Sequence, residues 1–184
     1  MRTRRSVLRA FCVLCGGVSF SGCGYALAGR GSTLPPNIKT IGIPLFTNRT
    51  TVFNLETTLT TKVRSEFIGR SKYQITPEAG NVDALLTGEV TAVSIQPSSI
   101  NANQLASRYA ITMVAKVELK DTSNNMVIWD NPSLVFRQEY DAAGGQASTS
   151  AVDPNAYFGQ DANALDRMST DFAKSIVSAI LEAF

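Results

Sequence analysis

There is no histidine anywhere in these 184 residues. That removes the side chain most often used as a general base near neutral pH, and the commonest transition-metal ligand. Ser-His-Asp and Cys-His catalysis are therefore impossible within this chain. Cysteine is nearly as scarce. Cys12, Cys15 and Cys23 are the whole supply, so no disulfide or cysteine metal site can form beyond Cys23. A carboxylate pair of the glycosidase kind is the one remaining route to hydrolysis. The acids, however, are scattered singly among polar neighbours and no pair stands out. The composition reads as a protein that is not an enzyme and needs no metal or cofactor.

Charge is also sparse, at 17% of residues, and the basic excess is confined to the start. Arg2, Arg4, Arg5 and Arg9 all precede the first acid, Glu56, and residues 23–184 carry 13 basic and 15 acidic groups. No block of like charge is left, so nucleic-acid binding has no support. An apolar run of the roughly 20 residues needed to span a bilayer is missing too. The stretch from Ala10 to Phe20 is too short for that role.

What the start does contain is a basic segment, that short apolar run, and then small residues ahead of a cysteine. Residues 1–22 read as an export signal removed from the mature protein. Ser21-Gly22-Cys23, with Phe20 where leucine is commoner, resembles a bacterial lipobox. The resemblance implies that Cys23 is lipidated and becomes the first mature residue, tethering the protein to a membrane. A plain secretory signal cleaved near Gly22 remains open. So does modification at Cys15, although Cys12-Val13-Leu14 suits a lipobox less well. Thr3 to Arg9 resembles a twin-arginine signal, which leaves the export route open as well.

Residues 23–37 form a leader rich in small residues, ending at Pro35-Pro36, of the kind that lets a tethered domain stand off its membrane. Residues 38–184 then read as a single domain, long enough to bury a real core. Ile38 to Leu45 reads as a strand. Between Val52 and Ile68, Leu55, Leu59, Val63 and Phe67 recur at helical spacing, with Gly69 as the expected stop. The many threonines here argue against a helix. Tyr73 to Thr76 is a short strand and Ala84 to Ile95 a long one. In the long one, Leu86, Val90 and Ala92 are expected on one face, with Val93 and Ile95 on the other. Tyr109 to Leu119 alternates strictly, with Met113 on the buried side. Met126 to Trp129 and Leu134 to Tyr140 return past Asn131-Pro132. Asp153-Pro154 looks like the cap and first residue of one closing helix that carries Leu165, Met168, Phe172, Ile176 and Ile180. The order predicts an α+β fold: a mixed sheet with a β-α-β start, then an antiparallel meander, with two helices packed on one face. The long hairpin is expected to project as a ribbon with a polar, mobile tip at Pro97 to Gln104.

Cys23-Gly24-Tyr25, the stretch Ile43-Pro44-Leu45-Phe46-Thr47-Asn48, the aromatic-ended strand Tyr109 to Leu119 and the element order together resemble the lipopolysaccharide-assembly lipoprotein family, LptE. The resemblance implies an outer-membrane lipoprotein on the periplasmic side. Its folded domain would plug and help assemble a β-barrel partner, LptD, and support lipopolysaccharide transport to the outer leaflet. Gly24 after the cysteine matches the sorting rule for delivery to the outer membrane. Direct contact with lipopolysaccharide, which the resemblance also suggests, would use basic side chains. The hairpin tip has none, so Arg108, Lys116, Lys120 and Arg137 in the sheet are the candidates. A lipid-anchored periplasmic scaffold or binding protein of another envelope or secretion machine remains the alternative.

Overall fold

The computed structural model describes residues 34–102, 105–141 and 150–184. Among the described residues, six strands and three helices follow one another: β1 (Thr40–Gly42), β2 (Thr47–Asn48), α1 (Leu55–Arg70), β3 (Gln74–Thr76), β4 (Ala84–Ile100), β5 (Ala106–Asp121), β6 (Val127–Asp141), α2 (Pro154–Gln160) and α3 (Ala162–Leu181). One mixed sheet runs in the order β3-β1-β4-β5-β6, with β2 also pairing β4. β1 lies parallel to β3 and β4, while β4, β5 and β6 form the antiparallel meander. The expected α+β architecture and its mixed sheet are present.

The strand predicted over Ile38 to Leu45 is shorter than its apolar pattern. Pro44 has no N–H to donate to a ladder, and the chain leaves β1 before it, then rejoins β4 as β2. Arg64 covers the gap by donating from Nε and Nη2 to the Ile43 carbonyl, at 2.8 and 2.6 Å. α1 forms despite its threonines because its apolar stripe, Leu55, Leu59, Val63 and Phe67, is buried, and the Thr60 and Thr61 hydroxyls bond back within the helix. Thr60 is buried, donates to the Glu56 carbonyl at 2.6 Å and accepts the Phe46 N–H at 3.0 Å. Bonding back to position i−4 satisfies the buried hydroxyl rather than strengthening the helix; through the Phe46 N–H it also ties the helix to the segment before β2. The predicted stop at Gly69 is passed by one residue. The Ser71 N–H closes the helix on the Phe67 carbonyl instead.

β4 departs from the expected face assignment. Leu86, Val90 and Ile95 are all fully buried and half-buried Val93 packs on the same core, whereas Ala92 is exposed. The cause is a bulge at Thr91: Val90 pairs with Ala115, but Ala92 pairs with Val114. One extra residue reverses the alternation. Uninterrupted period-2 counting could not find it.

The closing helix is two helices. Asp153 caps α2 as expected, its carboxylate accepting from Ala156 N at 3.1 Å, with Pro154 at the first position. At Asp161 the backbone leaves helical geometry (φ −128°, ψ 81°), and the Asp161 side chain caps α3 through Ala164 N at 3.0 Å. All the apolar positions expected to share a face do so on α3, where Met168, Phe172, Ile176 and Ile180 are fully buried. Nor does the hairpin stand clear of the body along its length. Tyr157 of α2 meets Tyr109 edge-on at 5.5 Å, and Val152 bridges to Ile95. Tyr109 and Ile111 are fully buried as a result. Ile100 and Leu105 are exposed near the tip, so it is less polar than expected; Asn103 and Gln104 lie outside the described residues.

Candidate functional site

Helices cover one face of the sheet, and the register defines what the other face presents. On β5 the odd residues from Tyr109 to Leu119 point into the core. The even ones (Arg108, Ala110, Thr112, Val114, Lys116, Glu118 and Lys120) stand on the opposite face. They are matched there by Glu89, Ser94 and Gln96 from β4 and by Asp130, Val135, Arg137, Glu139 and Asp141 from β6. No described helix packs over this face. It is a mixed-charge surface of basic and acidic side chains set among threonine, serine, glutamine, alanine and valine.

All four basic residues singled out from the sequence lie here, yet they do not converge. Arg137 sits level with Thr112, so the cations recur about every four residues, roughly 13 Å apart, over some 40 Å of strand. Two are engaged. Arg108 donates to Asp141 at 3.0 Å and Lys120 approaches Glu118 at 2.9 Å. Lys116 and Arg137 make no ion pair among the described residues. Lys116 stands across from Glu89, but Arg49 holds that carboxylate at 2.7 Å. Exposed pairs of this kind contribute about 0–1 kcal/mol each. Their effect is to balance the face electrically rather than to hold the fold.

The end where the chain enters the domain is closely bonded. Leu34, inside the segment read as a leader, is buried, and its N–H donates to the Tyr73 hydroxyl at 3.0 Å. Asn37 donates to Asp121 at 3.1 Å, and Lys39 and Thr40 donate their backbone N–H groups to Asp83 at 2.9 and 2.8 Å. Ser123 adds two more donors to Asp121, at 2.8 and 2.6 Å. Hydrogen bonds to the charged form hold both carboxylates below their usual range: those from Lys39 and Thr40 for Asp83, those from Ser123 foremost for Asp121. The network was not foreseen. The only sequence signal was turn chemistry around Asp121, since Asp83 and Asn37 are far away along the chain. This end lies by the β5–β6 turn; the β4–β5 tip is at the other end of a 17-residue strand, roughly 50 Å off. Cys23 lies outside the described residues.

The Ile43 to Asn48 stretch proves to be a structural joint. Phe46 is buried against Gly88, where an added Cβ would come within 2.6 Å of its ring. Asn48 donates to the Val52 carbonyl at 2.8 Å and to Glu56 at 2.9 Å, and accepts from Thr50. On the covered side, Tyr140 donates to Asp171 at 3.2 Å beneath the Arg167 guanidinium. Burial, with the neighbouring Asp171 charge, pushes its phenol well above the ordinary value. Among the described residues no group of three or more candidate ligands could hold a metal ion, and no helix is long and apolar enough to cross a membrane.

No curated protein matches the chain in sequence. Several solved structures are similar to it. The hypothetical protein CT253 from Chlamydia trachomatis is 11% identical with a TM-score of 0.50; the match covers 79% of this chain and 97% of that one. PelC from Paraburkholderia phytofirmans, a dodecamer, is 13% identical (TM-score 0.49; 83% and 96% covered). Rare lipoprotein B from Shewanella oneidensis is 12% identical (TM-score 0.46; 77% and 93% covered). At such identities the likeness to CT253 is one of fold. The family model for lipopolysaccharide assembly, LptE, matches residues 38–180, nearly the whole folded domain. The chain therefore belongs to the LptE lipopolysaccharide-assembly family of lipoproteins.

Proposed function

We propose that this protein is an outer-membrane lipoprotein, anchored through an acylated Cys23 on the periplasmic side. In this reading it plugs and helps assemble a β-barrel of the LptD type and supports lipopolysaccharide transport to the outer leaflet. The observation that carries the reading is the family match over residues 38–180. The physical character of the surface agrees with it. A porin-like lumen is polar and wet, and the open face offers an uncovered sheet of mixed polarity with balanced charge. An acyl leash entering beside the β5–β6 turn leaves the β4–β5 tip at the far end of the body. Of the four candidate contacts to lipopolysaccharide, Lys116 and Arg137 have no carboxylate already in place, and these two would take phosphate oxygens.

Extraction of outer membranes in detergent, with the tagged chain pulled down, tests the partner. A barrel recovered in stoichiometric amount is expected; the chain recovered alone counts against the reading. The mass of the mature N-terminal peptide tests the anchor, since an acylated Cys23 and a free amino terminus on a secreted protein differ by the lipid. Cys23→Ser should leave the fold intact and release the protein from membranes that lack the barrel.

A further inference from the structure

β6 is the last strand in the sheet order, so one side of it has no ladder partner among the described residues. Long regular edges invite pairing, and proteins blunt them with proline, bulges and charge. The first half of β6 is blunted in this way, with Pro132 sitting where the register against β5 is broken. The second half is regular. Leu134 to Asp141 pairs residue for residue with Ala115 back to Arg108, without interruption. Within it Arg137, Gln138 and Glu139 are exposed, and Arg137 and Glu139 make no ion pair among the described residues. Their neighbours across β5 are Thr112 and Ala110, which carry no charge.

Arg137 and Glu139 flank Gln138 and share the open face. An antiparallel pairing of β6 with its own copy, about a two-fold axis at Gln138, sets Arg137 opposite Glu139 of the partner subunit, twice over. Phe136 then meets Tyr140 of the partner subunit on the covered face, and Val135 meets Asp141 of the partner subunit on the open one. No like charges face each other. With the axis moved one residue, to Arg137 or to Glu139, two arginines or two glutamates collide. Opposite charges directly across a ladder stabilise the pair, and like charges oppose it.

We propose that the distal half of β6 is a self-recognition edge whose occupant is a second copy of this chain, in the register centred on Gln138. The two sheets join into one continuous sheet, and the edge N–H and C=O groups gain ladder partners. The wall of a closed barrel has no free strand edge to offer, so this pairing stands apart from the barrel reading. It engages Arg137, leaving Lys116 as the unpaired cation of the open face in the dimer.

Thiol cross-linking of the purified full-length chain in detergent tests the register. Gln138→Cys places two sulfurs at the axis and should give a disulfide-linked species of twice the chain mass under oxidation. Ser133→Cys, whose copies would lie roughly 30 Å apart in this register, should give none above the unsubstituted chain. Adding Arg137→Glu to Gln138→Cys should cut the yield about tenfold, and exchanging both charges, Arg137→Glu with Glu139→Arg, should restore it. No dimer from Gln138→Cys overturns the proposal, as does equal yield from Ser133→Cys. So does an adduct of any other mass, which would put a different protein on the edge. Exchange that fails to rescue overturns the register.

Discussion

The odd and even residues of β5 make two different surfaces from one strand. Met113, fully buried, packs into the core. Thr112, its neighbour in sequence, faces Ser94 and Arg137 on the uncovered side. The first surface is shaped by close packing, where every atom added or removed is felt. The second is governed by solvation and charge balance, where single changes cost little. The difference teaches where stability resides in this domain, and where partners can be met without endangering it.

Substitutions can break that comparison, and the largest effect should come from the covered face. Met113→Asp buries an unpaired charge and should lower stability by about 3–5 kcal/mol or prevent folding; unchanged thermal unfolding would reverse the face assignment. Gly88→Ala drives a methyl group into the Phe46 ring and should cost about 1–3 kcal/mol, read from the denaturant midpoint at unchanged slope. Acid should act through the chain-entry network. Asp83 and Asp121 have folded pKa values below their unfolded ones. Their contribution is therefore complete above the ordinary carboxylate range, near pH 4, and is lost as pH falls through the lowered values. A pH series of melting temperatures should show that decline, and Asp121→Asn should flatten it. Thr112→Asp, on the open face beside Arg137, should change stability by no more than about 0.5 kcal/mol. The same measurement on Met113→Asp and Thr112→Asp sets the contrast between adjacent residues.

Local pattern made much of this legible. The strict alternation of Tyr109 to Leu119 named both faces of β5 correctly, because a regular strand has a period of two. The four basic candidates were expected in the sheet without a face for Arg108 or Arg137, and the register puts all four on the open one. Their pairing was not legible. Whether Arg108 finds Asp141, and whether Glu89 is left for Lys116 or taken by Arg49, depends on strands far apart in sequence. β4 shows the limit most plainly. Thr91 looks like any other strand residue, but the ladder with β5 makes it a bulge and turns everything beyond it over. The break at Asp161 is similar. Its aspartate could be read as a cap, yet the apolar spacing on either side permits one helix or two.

Composition alone ruled out histidine chemistry in this chain and cysteine metal sites beyond Cys23, since missing side chains cannot be supplied by folding. Periodicity alone marked the helical segments, the meander and the α+β class, though not the break at Asp161 that makes the closing helix two, since each element must bury an apolar stripe or face. Register, bulge and ion-pair partner came from the assembled sheet, because each joins residues whose distance in sequence carries no information about their distance in space. The free edge of β6 belongs to that second group: a strand is an edge only once every other strand has found its place.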